Sequence, residues 1–378
     1  MEGTQVLQTK KRNPNFELLR IVAMLMVISV HYNTQADALL QLGLPATGVN
    51  IFANITEPLG VIGLNVYVLL SGYFLSRGKF RPSRLISLLC QVFFYTIGIT
   101  LVMLAVGATS FSEYNSLYKI VEFIFPISSE HYWFVTAYVV MFILSPVMNI
   151  AVEKLSCKQI KAVIIGLLIW FCFIKSVVPV LFPTDHFGYD YGWFICLYLI
   201  AAYIRRYEVP VLSNSANGIM IFVISSAIMS TMSISLYYIN LNWGGFAHYQ
   251  MVPYNLNFVC TLTAAIGLFT FFRYFRMREN KAADVVRFIA PLTFGVYLLH
   301  MHNEIRDRWI IWINHLIGDV PRHSVPLFAW HELQAILIVF LAGIFVDWIR
   351  KMIFDYVGRV MHDTWLFKAA RKLDEELI

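Results

Sequence analysis

Charged residues are scarce in this chain: Asp, Glu, Lys and Arg make up 14% of its 378 residues, while 58% are hydrophobic. A soluble domain carries about 25% charged residues, so a soluble fold is excluded and a polytopic membrane protein is expected. Cysteine is sparse and unpatterned. Cys90, Cys157, Cys172, Cys196 and Cys260 fall mostly within apolar stretches, with no CxxC pair. That excludes a disulfide framework and a metal site and leaves reduced packing thiols. No cleavable signal is visible, because the first apolar run is too long for a signal core and lacks a small-residue cleavage site. Internal repeats, low-complexity tracts and a separate soluble domain are also missing, so any chemistry falls to the membrane bundle itself.

What the chain has in quantity is apolar runs. Hydropathy gives about ten spans, near 15–33, 59–76, 84–107, 131–151, 160–182, 190–205, 217–240, 252–273, 286–301 and 327–349. The net charge of +6 follows from topology and needs no nucleic-acid partner. With the N-terminus inside, 23 of the 29 Lys and Arg residues fall in inner segments, among them Arg77, Lys79, Arg81 and Arg84. The positive-inside rule then places both termini in the cytoplasm. The expected fold is all-α, a polytopic transmembrane helical bundle over 1–350 with a cytoplasmic amphipathic tail, 351–378, anchored by Trp365 and Phe367. Stretches 34–58, 108–130 and 241–251 read as polar outer loops. The segment 302–326, with its WIIWI run, reads as amphipathic and lying at the outer surface.

The first span, NFELLRIVAMLMVISVHYN from Asn15 to Asn33, carries two residues foreign to hydrocarbon, Arg20 and His31. Eleven positions separate them, three helical turns plus about 20°, so they share one face roughly 16 Å apart along the axis. An intramembrane Arg costs on the order of 2.5–3.5 kcal/mol and needs compensation. Two readings fit this spacing. In one, Arg20 snorkels to the inner headgroups and His31 sits at the outer interface. In the other, the pair lines a ligand channel for a molecule with a polyanionic head about 16 Å from its reactive atom. Coenzyme A has that form, with phosphates suited to Arg and a thioester within reach of an imidazole base.

Five motifs in order make the chain resemble the acyltransferase-3 family of integral membrane acyltransferases. They are Arg20 and His31 in the first span, Ser71-Gly-Tyr-Phe74 closing the second, Arg81-Pro-Ser-Arg84, His131-Tyr-Trp-Phe134 opening the fourth, and Thr293-Phe-Gly-Val-Tyr-Leu-Leu-His300. The resemblance covers most of the chain and implies an O-acetyltransferase type without a fused SGNH domain. It implies acetyl-CoA as acyl donor, no metal, a cell-surface or lipid-linked carbohydrate as acceptor, and a bacterial cell (plasma) membrane as location. In that reading His31 is the catalytic base or acyl carrier, and Arg20, Arg81 and Arg84 bind the nucleotide. For Arg77 and Lys79 topology alone is sufficient.

The remaining motif residues carry smaller expectations. Ser71 and Gly72 let helices approach closely. His131 and Trp133 are candidates for the sugar, as are Tyr297 and His300, three apart on one face; either of the last two also has the reach to hydrogen-bond His31. A His base needs an orienting acceptor, and Glu304, one turn after His300, is the candidate chosen over Asp37, Glu57 and Asp307. The rival class is a transporter or flippase of an anionic or glycan substrate, although no corresponding Gly/Pro-broken helices mark two repeats.

Overall fold

The computed structural model describes residues 11–41, 44–110, 116, 121, 126, 131–178, 186–361 and 364–376. All regular structure among them is helical. Polar residues start the helices by capping orphan N–H groups. The Asn13 side chain caps α1 (Pro14–Gln35), with Pro14 in the first turn. Thr47 and Asn50 form a capping box at α2 (Gly48–Leu75). Helix α3 (Pro82–Ala105) begins at a proline, whose missing N–H costs nothing there. After α4 (Trp133–Lys154), the Ser156–Gln159 box starts α5 (Cys157–Leu168), which runs on through a π-helical turn to Val177. Asp190 caps α6 (Tyr191–Arg206) and Asn214 caps α7 (Ser215–Trp243). Helical turns over 247–254 lead into α8 (Val259–Tyr274). Asn280 caps α9 (Lys281–Ile289), and a short 3-10 turn joins it to α10 (Thr293–His300). The chain ends in α11 (Trp309–Ile317), α12 (Val325–Val360) and α13 (Trp365–Glu376).

Nine of these segments are long and apolar enough to cross a membrane. The remaining expected span is α6, whose 16 residues rise about 24 Å. It can be short because it is the core: Trp193, Phe194, Leu197, Tyr198 and Ala201 are fully enclosed by other helices. Gly72 is the point where α2 meets it, and a Cβ there would stand 2.8 Å from the Tyr198 Cα. Asn65 locks the same junction, donating to the Leu256 carbonyl (2.8 Å) and accepting from the Trp193 indole (3.0 Å).

Two boundaries differ from the hydropathy reading. Helix α2 begins at Gly48, so half of the expected outer loop 34–58 is helix. Its polar residues are paired within the bundle: Glu57 accepts from the Asn33 amide (3.1 Å), and the Asn54 amide donates to the Asn50 carbonyl (2.7 Å). Helix α12 continues past residue 350 to Val360, and 36 residues rise about 54 Å, well beyond a hydrocarbon core of about 30 Å. The separate tail element is therefore α13. The expected anchoring by Trp365 and Phe367 lies outside the described side chains, as does most of 108–130. The 241–251 stretch is largely helical, and within 302–326 α11 buries Trp309, Ile310 and Ile313.

Candidate functional site

Arg20 and His31 both look toward α10, which runs beside α1 with its first residue near Arg20 and its last at His31. At the end of the bundle bearing the basic loops, Arg20 Nη1 donates to Glu17 Oε2 at 2.7 Å, and Arg12 approaches the same oxygen at 3.9 Å. The Tyr67 hydroxyl reaches the Arg20 carbonyl (2.8 Å) and lies 3.1 Å from Thr293 Oγ1. Arg12, Arg20, Tyr67, Ser71, Tyr138 and Thr293, with Leu88, Phe134 and Phe294, line a cavity of about 400 Å³. That volume falls in the range of small-ligand pockets, about 300–1,000 Å³. One carboxylate against two guanidiniums leaves it cationic, and the Tyr138 hydroxyl is within electrostatic reach of both Arg20 and Arg84.

Arg81 and Arg84 flank the N-terminus of α3. The Ser83 N–H donates to Asp374 Oδ1 (2.9 Å) and its hydroxyl to Oδ2 (2.5 Å), so α13 is docked there by a carboxylate. The Ser83 bonds, with Arg81 and Arg84 adding, hold the Asp374 carboxyl below its ordinary value.

At the other end of the shared face, His31 Nδ1 lies 2.9 Å from His300 Nε2. His300 Nδ1 is 2.6 Å from the Val296 carbonyl. A carbonyl only accepts, so His300 Nδ1 carries a proton; in the neutral ring Nε2 then accepts. His31 Nδ1 must be the donor to it, which leaves the lone pair on His31 Nε2. No protein donor among the described residues meets that nitrogen. The pair is a base with its tautomer fixed.

The group that orients His31 is thus His300. Glu304, the carboxylate expected in that role, accepts from Thr109 (2.5 Å) and pairs with Arg308 (3.3 Å). Nearby, His131 is 3.0 Å from the Asn303 amide and 4.8 Å, ring to ring, from His302. Burial, with His131 adjoining, holds His302 down to about 3, so it is neutral at physiological pH. Trp133 packs edge-on against Tyr189 at 4.7 Å. Tyr297 is 6.3 Å from His300 and 5.6 Å from Phe134, ring to ring. Phe134, Phe294 and Tyr297 therefore stand between the cavity and the histidine pair, and the cavity lining does not include His31.

The family profile described as an acyltransferase domain, Acyl_transf_3, matches residues 13–352. The chain belongs to the acyltransferase-3 family. Membership carries membrane acyltransferase activity in general, and the match spans the elements that hold Arg20, Arg84, Phe134 and His300. Comparison with curated proteins finds no match, and comparison with solved structures finds none.

Some groups of this acyltransferase's site were not picked out from its sequence. Glu17 had a signal, three positions before Arg20 on the same helix. Tyr67 and Tyr138 had none beyond lying on motif-bearing helices, and Thr293 opens the last motif without a role assigned to it. Asp374 is 291 residues from Ser83, and nothing in its local sequence marks it.

Proposed function

We propose that this acyltransferase moves an acetyl group from acetyl-CoA to a hydroxyl of a cell-surface or lipid-linked carbohydrate, with His31 as general base. The observation that carries the reading is the fixed tautomer of the His31–His300 pair, on the same helical face as a guanidinium that lines a cationic cavity. In the reaction, His31 Nε2 takes the acceptor's hydroxyl proton as its oxygen attacks the thioester carbon. The C–S bond then breaks, and the departing thiolate recovers the proton as free CoA. Arg20, with Arg84 and Arg81 at the mouth, pairs with the donor's phosphates, for which a planar guanidinium is suited. His131 and Trp133, at the far end, are the groups offered to the sugar, the indole through its face.

The test is turnover by the protein in lipid nanodiscs with radiolabelled acetyl-CoA and a glycan acceptor. Free CoA should appear in step with acetylated glycan, and His31→Ala should abolish both while leaving a folded, membrane-inserted protein. Retained turnover in that variant removes the base assignment. Exchange of an anion or glycan across vesicles without thioester cleavage would mark a transporter instead.

A further inference from the structure

Tyr297 is only 5% exposed, and among the described residues nothing accepts its hydroxyl proton. A buried donor without an acceptor forfeits on the order of 1–3 kcal/mol, so the position calls for a ligand. The hydroxyl oxygen is met by the Phe134 N–H. It lies in the first turn of α4, where N–H groups have no intrahelical acceptor, and no side chain among the described residues caps that end. The helix start also presents the positive end of its dipole. That N–H is directed at the Tyr297 oxygen, so the hydroxyl proton is the donor left without an acceptor among the described residues. Phe134 is also a wall of the cavity that holds Arg20, while Tyr297 is one turn from His300 on α10. The unaccepted hydroxyl proton therefore lies between the cavity wall and the base.

We propose that the Tyr297 hydroxyl, its oxygen held by the Phe134 N–H, donates to the thioester carbonyl oxygen and stabilises the charge it gains, so Tyr297 is a catalytic residue. The inference rests on the acyl-CoA reading and supplies the group that reading lacks. When the acceptor oxygen bonds to the carbonyl carbon and His31 takes its proton, the carbonyl π pair moves onto oxygen, where the Tyr297 O–H meets it. As that pair returns, the C–S bond breaks, and the proton held by His31 passes to the thiolate.

The experiment is steady-state kinetics of Tyr297→Phe with acetyl-CoA in nanodiscs. Loss of an oxyanion donor lowers kcat about 10²–10³-fold, and KM for acetyl-CoA should stay unchanged, because the hydroxyl acts on the transition state and not on the nucleotide. An unchanged kcat, or a loss expressed only in KM, overturns the proposal and leaves the acyl-CoA reading intact. Should the Phe variant fail to insert, 3-fluorotyrosine at position 297 keeps the ring and sharpens the donor. Its kcat should equal or exceed that of the native protein, and a lower value overturns the assignment. If the native protein releases no CoA with any glycan acceptor, the acyl-CoA reading falls and this proposal falls with it.

Discussion

At the scale of single residues, the site depends on which nitrogen of His31 holds a proton. Val296 settles that at one remove by accepting from His300. Replacing His300 with Ala leaves the His31 Nδ1–H without its acceptor and frees the ring to take the other tautomer. Positioned acid–base groups contribute about 10²–10⁴-fold, so His300→Ala should lower kcat by about 10²-fold or more with little change in KM for acetyl-CoA. A loss confined to KM would make His300 a substrate contact instead. Arg20→Ala should do the reverse. A hydrogen bond to a charged group is worth about 1.5–3 kcal/mol, so KM should rise about tenfold to a hundredfold while kcat holds, and equal affinities by direct titration would dispose of the phosphate role. The shared face of these two side chains was legible because helical periodicity is local. The partner of His31 was not, since it arrives from 269 residues away and the sequence pointed to a carboxylate, Glu304, in place of the imidazole one turn before it.

At the scale of elements, close helix approach decides what can be substituted. Asp347 of α12 is fully buried and accepts from Arg350 (2.8 Å through both oxygens), Gln91 (2.9 Å) and Tyr95 (3.0 Å). A Cβ at Gly295 of α10 would lie 2.3 Å from its carboxyl carbon, whereas one at Gly98 of α3 meets nothing within 4 Å. Gly295→Ala should therefore lower stability by at least about 1–3 kcal/mol, seen as a reduced Tm in detergent, and Gly98→Ala should be neutral or stabilising. Equal effects would mean that α10 and α12 are not packed as described. The docked tail follows from charge. With its carboxyl held low by Ser83, Asp374 contributes to docking above the ordinary carboxylate value, and the contribution is lost only as pH falls through the lowered one. Hydrogen exchange of α13 should therefore stay slow at mildly acidic pH and quicken in stronger acid. Because Arg81 and Arg84 are also the proposed phosphate groups, saturating CoA should quicken that exchange at neutral pH; unchanged protection would separate the tail from the donor site. Helix α2 shows why polar starts mislead hydropathy: Asn50, Asn54, Glu57 and Pro58 read as loop, yet a capping box and buried partners place them inside a helix.

At the scale of the whole molecule, polarity is arranged inside out. Large apolar side chains such as Leu101, Val147, Trp170 and Leu341 face outward, as lipid demands, while Glu17, Glu57, Glu332 and Asp347 are interior and hydrogen-bonded. The polytopic helical organisation was legible because apolar runs of span length are rare in any other context. The burial of α6 was not, since an enclosed helix and a lipid-facing one are equally apolar. Orientation remains a matter of charge, and Cys157 tests it. This thiol is exposed at the start of α5, between Lys154 and Lys158, at the end that carries Arg81, Arg84 and the tail. With Cys157 kept as the single cysteine, a membrane-impermeant maleimide should label inverted vesicles and leave right-side-out ones untouched. The same inverted vesicles should turn over externally added acetyl-CoA, because the Arg20 cavity opens on the labelled side. Labelling of right-side-out vesicles would turn the bundle over and put the cationic cavity out of reach of a cytoplasmic donor.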